Sequence, residues 1–246
     1  MPGLRLGIIT AVVYAAIIAV GTALVFILRP EPITLEMALL LLLPVQLVAV
    51  LFCVAIAMRN AVWRSVGFGR LQWSGMLWFL PSWVILAVMG LGLVQTLTAQ
   101  TMAGLGAAGI SLLLVTTFLI AFGEELVFRG ILLRGAMTRI AMPMAMFLSA
   151  FAFGLFHWVN RLAGQGAGET SLQVLFAFLV GFFLAPIAIR VGNLWPLIIW
   201  HWFWNIAVIL GQIAAILHPF ALIGIAIQAV ISIWLWTAMI RKGRAD

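Results

Sequence analysis

The sequence predicts an all-α, polytopic membrane protein that crosses the bilayer about eight times, with both termini cytoplasmic. Three observations predict it. Of its 246 residues, 66% are hydrophobic and 8% charged, where a soluble domain averages roughly 45–50% and about 25%, and the mean hydropathy is +1.26. The apolar residues fall into runs of about 20, the length a helix needs to cross a hydrocarbon core of ~30 Å. The basic residues gather in the connections on one side.

The first apolar run, Gly7 to Leu28, follows Arg5. A secretory signal has an apolar core of only about 7–15 residues, so this longer run reads as a retained first helix, with a cleaved signal as the other reading. Further spans are predicted at 38–57, 75–98, 107–135, 142–160, 171–189, 194–217 and 219–240. Between the second and third lies Met58 to Leu71, whose arginines and aromatics suit either a segment lying in the membrane interface or a plain basic loop. The chain reads as one integral membrane domain: 1–100 accessory helices, 101–217 a core, 218–246 a last helix and basic tail.

Eight spans return the chain to its starting side. Of 13 basic residues, all but Arg29 and Arg161 fall on or toward that side, Arg129 and Arg134 counted among them. The positive-inside rule then makes that side cytoplasmic. The same rule accounts for the net charge of +7; no basic stripe with interleaved aromatics stands clear of the spans, so nucleic acid is excluded as a partner. Cys53 is the only cysteine, which forbids an intrachain disulfide and reads as a buried structural thiol.

One stretch breaks the apolar pattern, Phe122-Gly123-Glu124-Glu125-Leu126-Val127-Phe128-Arg129-Gly130. Charges at membrane depth are costly and mark function by default. In an α-helix Glu125 and Arg129 are i and i+4, the order that favours an ion pair. Glu124 is rotated about 100° from Glu125 and is expected to look into a different space, unpaired. On later spans stand His157, four residues after Phe153, and His201 with Asn205, again i and i+4. Gly154 is expected to admit a neighbouring helix. Each of these has a plainer reading: His157 and Asn205 as interhelical hydrogen-bond partners, Glu125–Arg129 as a structural pair, the tryptophans beside His201 as an interfacial belt. His218, before Pro219, reads as a solvated turn residue. Taken together, though, two carboxylates, two histidines and an asparagine supply a base, a second proton carrier and hydrogen-bond donors.

At these residues the sequence resembles the CPBP family of intramembrane proteases, which includes the CAAX prenyl endopeptidases. The family pattern Glu-Glu-x-x-x-Arg, Phe-x-x-x-His and His-x-x-x-Asn is matched by Glu124-Glu125-Leu126-Val127-Phe128-Arg129, Phe153-Gly154-Leu155-Phe156-His157 and His201-Trp202-Phe203-Trp204-Asn205. The resemblance covers roughly 107–207. It implies hydrolysis of a peptide bond in a membrane-associated peptide or protein. Glu124 would activate water with help from His157, His201 and Asn205 would stabilise the oxyanion, and Glu125 with Arg129 would hold the helix in register. It leaves the cofactor open. Glu124, His157 and His201 could make a His₂Glu zinc set, but the HExxH spacing is absent, which tips the reading toward a metal-free or only divalent-assisted site. A bacterial plasma membrane and leader-type or bacteriocin-like peptide substrates are further expectations from the resemblance. Rival readings are a non-proteolytic scaffold or immunity protein and a small proton-coupled transporter.

The spans pose one geometric difficulty. His157 lies about 22 Å along its helix from Met142, whereas His201 lies only about 10 Å along its own. Something must bring the two level if they share a site.

Overall fold

The computed structural model describes residues 2–28, 34–60, 63–97, 99–213 and 219–242. Arg29, Glu31, His218 and Arg244 lie outside these residues. Among the described residues the backbone is helical with no strand, as a bilayer demands: hydrocarbon offers no partner for a free N–H or C=O, so each span must close its own hydrogen bonds. The elements are α1 (Leu4–Leu28), α2 (Leu35–Asn60), α3 (Trp73–Thr96), α4 (Ala99–Glu124), α5 (Leu133–Ala136), α6 (Met142–Phe156), α7 (Ala167–Val191), α8 (Trp195–Ile213) and α9 (Pro219–Lys242). Eight helical stretches are long and apolar enough to cross a membrane, and they coincide with the eight predicted spans to within a few residues at each end.

The fourth span departs from a simple helix. Between α4 and α5, residues Glu125–Leu132 wind as a π-helix, and every one of them is buried. π-Turns are rare and occur mostly at functional sites. Here the wider winding carries Glu125 and Arg129 and begins directly after Glu124. The fifth span also changes winding: α6 ends at Phe156 and continues as a 3₁₀ stretch, His157–Ala163.

Two apolar cores meet in the bundle. One gathers α3, α7, α8 and α9 around Phe79, Phe183 and Trp200. The other gathers α1, α2, α6 and the π-segment around Tyr14, Phe128 and Phe153. α6 packs closely on α7, and Gly154 is the reason, as expected: a Cβ there would stand 2.8 Å from the Cβ of Phe178 and 3.0 Å from the carbonyl oxygen of Val174.

The 58–71 connection is neither of its two predicted forms. Its 3₁₀ turn Trp63–Val66 leads into a segment that wedges into the bundle end. Val66 is wholly buried, and Gly67 adopts a left-handed φ of 104°. The Gly67 carbonyl accepts from Leu194 N at 2.9 Å, Gly69 N donates to Gly192 O at 3.2 Å, and Phe68 bridges to Asn193. A Cβ on Gly130 would stand 2.7 Å from the Val66 carbonyl oxygen and 3.3 Å from Leu194 Cδ1. Leu194, at the threshold of α8, therefore sits beside Gly130, a position six residues before the end of α5 rather than level with it.

That inset start resolves the difficulty over depth. α8 begins well inside the bundle, so seven residues on from Leu194 His201 already stands opposite Glu125.

Candidate active site

Four elements build the site: the end of α4, the π-segment, the α6–3₁₀ junction and α8. From α8, His201 reaches across to both adjacent carboxylates. Its Nδ1 lies 2.9 Å from Glu125 Oε1, and its Nε2 lies 3.6 Å from Glu124 Oε2. Two residues consecutive on a helix point about 100° apart, so one imidazole can meet both only by standing between them. This corrects the expectation that Glu124 looks into a separate space. It is right in one respect: Glu124 Oε2 is enclosed and makes no hydrogen bond.

Glu125 also does more than pair with Arg129. The expected pair is present, Arg129 Nη1 donating to Glu125 Oε1 at 3.1 Å with both side chains fully buried. The same oxygen serves His201 Nδ1, so Glu125 joins the π-segment to α8. Arg129 in turn lies with Cζ 3.9 Å from the centroid of the Phe153 ring, a cation–π contact. Arg129 is thus an interior cation and drops out of the charge count that oriented the spans. Arg134 is turned inward too, donating to Ala188 O at 3.2 Å.

Phe153 organises the other half of the site. Its ring lies 4.9 Å from His157 and 5.9 Å from His201, edge-on to each. His157 Nδ1 is 2.9 Å from the Phe153 carbonyl oxygen. A carbonyl only accepts, so Nδ1 carries the hydrogen and the neutral ring has its lone pair on Nε2. Asn205 stands one turn beyond His201 on the same face of α8, half-buried, and makes no hydrogen bond among the described residues. All six residues singled out from the sequence are thus held by elements that meet at one place: Glu124, Glu125, Arg129 and His201 through direct contacts, His157 through Phe153, and Asn205 through its register on α8.

The site holds hydrogen-bonding capacity in reserve. Glu124 Oε2, Glu125 Oε2, Arg129 Nε and Arg129 Nη2 are buried without partners.

Zinc ligation is a different matter. Among the described residues no three His, Cys, Asp or Glu side chains are gathered as a metal ion requires. His201 keeps Nε2 toward Glu124, but His157 is not gathered with these two into a ligand group. The trio Glu124, His157 and His201 does not fit a His₂Glu centre in this arrangement.

Sequence reasoning passed over one residue here. Tyr14 of α1 is wholly buried, edge-on to Phe128 at 6.3 Å and tilted against Phe156 at 5.5 Å. A signal for it was present: it is the only tyrosine of the chain and stands mid-span, whereas tyrosine in spans prefers the interfaces.

Comparison with known proteins agrees with this geometry. Residues 106–207 match the family model described as type II CAAX prenyl endopeptidase Rce1-like, a stretch that contains Glu124, Glu125, Arg129, His157, His201 and Asn205. Among curated proteins no match is found, and none among solved structures. Over this core of an integral membrane bundle, the chain is similar to the Rce1-like family of type II CAAX prenyl endopeptidases.

Proposed function

We propose that the protein is an intramembrane endopeptidase that hydrolyses a peptide bond of a membrane-associated peptide or protein, with Glu124 as the base that activates water. The observation that carries this reading is the placement of His201 between two adjacent carboxylates, one committed and one not. Glu125 fixes the imidazole, as a carboxylate partner does in other histidine sites. Glu124 keeps its acceptor capacity for a water. A water ~2.8 Å from both Glu124 Oε2 and His201 Nε2 satisfies hydrogen-bond geometry across a 3.6 Å gap.

The steps then balance. The water oxygen bonds to the scissile carbonyl carbon as its proton passes to Glu124. The resulting oxyanion is met by the Asn205 amide and by Nε2–H of His201, whose ring carries hydrogen on both nitrogens when it donates to Glu125 and to the oxyanion at once. The C–N bond breaks as the amine leaving group takes the proton back from Glu124. His157, with its free Nε2, serves as second proton carrier. Arg129 holds Glu125 in place. No metal enters these steps. In our reading the enzyme works in a bacterial plasma membrane with both termini cytoplasmic, and takes leader-type or bacteriocin-like peptides.

Replacing Glu124 by Gln keeps shape and removes the base. With a membrane-anchored, fluorophore–quencher peptide in proteoliposomes, turnover of Glu124→Gln falls by about 10²–10⁴, the range of general-base catalysis, at an unchanged melting temperature. Undiminished cleavage by that variant overturns the assignment. The substrate is named by comparing membrane proteomes of wild-type and Glu124→Gln cells, where it accumulates uncut.

A further inference from the structure

Tyr14 comes from α1, outside the matched residues 106–207, and no step above uses it. Its hydroxyl is buried and makes no hydrogen bond within the protein. It is aimed at the backbone just before the catalytic pair: a Cβ added to Gly123 would stand 2.9 Å from the hydroxyl oxygen. Gly123 is therefore glycine because Tyr14 and Val50, 3.1 Å from the same point, occupy the space a side chain would take. The ring is clamped by Phe128 and Phe156, and Phe156 packs on His157 at 5.7 Å. Tyr14 is thus held against two of the motif-bearing segments.

Two unsatisfied groups of opposite kind stand at this place. Tyr14 offers a buried donor beside residue 123, and Glu124 offers a buried acceptor at residue 124. Neither is plausible as a lone buried group, because a desolvated hydroxyl or carboxylate oxygen without a partner destabilises the fold. The other ionisable groups facing them are His201, Glu125 and Arg129 around Glu124 and Cys53 near Tyr14. His201 Nδ1 and Arg129 Nη1 are taken by Glu125.

We propose that Tyr14 is a positioning residue for Glu124, its hydroxyl donating to the carboxylate through one shared water. The accessory helix α1 is then part of the active site and not only packing around it. The role rests on Glu124 being the base, but the coupling of the two side chains does not, and the two are tested separately.

Because Tyr14 is the only tyrosine, protein labelled with ¹³Cζ-tyrosine gives one resonance. In Glu124→Ala that resonance moves by more than its linewidth, while in Glu36→Ala, whose substitution lies at the start of α2, it stays. Tyr14→Phe removes only the hydroxyl and keeps the ring packed. It lowers kcat about tenfold with KM unchanged, the loss of one hydrogen bond, and it lowers the melting temperature. A resonance indifferent to Glu124→Ala overturns the proposal. So does a Tyr14→Phe protein that is fully active and as stable as wild type or more so, because deleting a truly unpaired buried hydroxyl relieves the fold. If wild-type protein cleaves no membrane peptide, the proteolytic reading fails, and the resonance still decides whether Tyr14 and Glu124 are coupled.

Discussion

Glu125 Oε1 accepts from two cationic or polar donors at once, Arg129 Nη1 and His201 Nδ1, and that double duty separates it from its neighbour. Breaking a buried ion pair by removing one partner costs about 3–5 kcal/mol, because the other charge is left buried alone. Glu125→Ala strands Arg129 and releases His201, so it lowers the melting temperature steeply. Glu124→Ala removes a side chain whose Oε2 holds no hydrogen bond within the protein and lowers it far less. Thermal unfolding of the two variants in the same detergent checks the contrast. Equal losses would mean that Glu125 is not the joint between the π-segment and α8. At this scale the sequence was informative: a Glu-Glu-x-x-x-Arg string in an apolar span requires buried partners for its charges, and the pair Glu125–Arg129 is present as expected. It did not disclose that one histidine would stand between both carboxylates, because that depends on a helix 76 residues away.

Elements set where those side chains stand. A regular helix through 107–135 was the natural reading of a continuous apolar run, and apolar composition does not distinguish α from π winding. The π-segment Glu125–Leu132 is fixed by what packs on it. The inset start of α8 was likewise hidden, since it follows from the wedge at 63–72 and its backbone bonds to 192–194. Gly67 is the hinge of that wedge. Its φ of 104° disfavours any side chain, and a Cβ there would meet Leu194 Cγ at 2.7 Å. Gly67→Ala is expected to destabilise the protein by about 1–3 kcal/mol from backbone strain alone and to reduce turnover, because pushing Leu194 away withdraws His201 from the carboxylates. Unfolding and cleavage assays on the same preparation read both effects. A Gly67→Ala protein with normal turnover would show that the wedge does not set the depth of α8.

For the whole molecule, an even number of spans predicts both termini on one side of the bilayer, and the arginine distribution predicts that side to be the cytoplasm. Arg129 and Arg134 now count as interior groups, yet Arg5, Arg59, Arg64, Arg70, Arg139 and Arg190 remain on the assigned side. Cys53 is buried, so single cysteines introduced at Gly3 and at Gly164, near opposite ends of the bundle, can be tagged without background. In intact cells a membrane-impermeant thiol reagent is expected to label the cysteine at 164 and spare the one at 3 until the membrane is opened. The reverse pattern would invert the topology. The sequence by itself determined the solvent, the number of apolar spans and which polar residues interrupt them, because hydrocarbon thickness and the cost of a lone charge act on each span separately. Only the tertiary structure decided that Tyr14 reaches the site, that His201 is shared, and that His157 stands apart from a would-be metal trio. Those outcomes depend on winding, inset and close approach between spans distant in the chain, and no local pattern of apolar and polar residues encodes them.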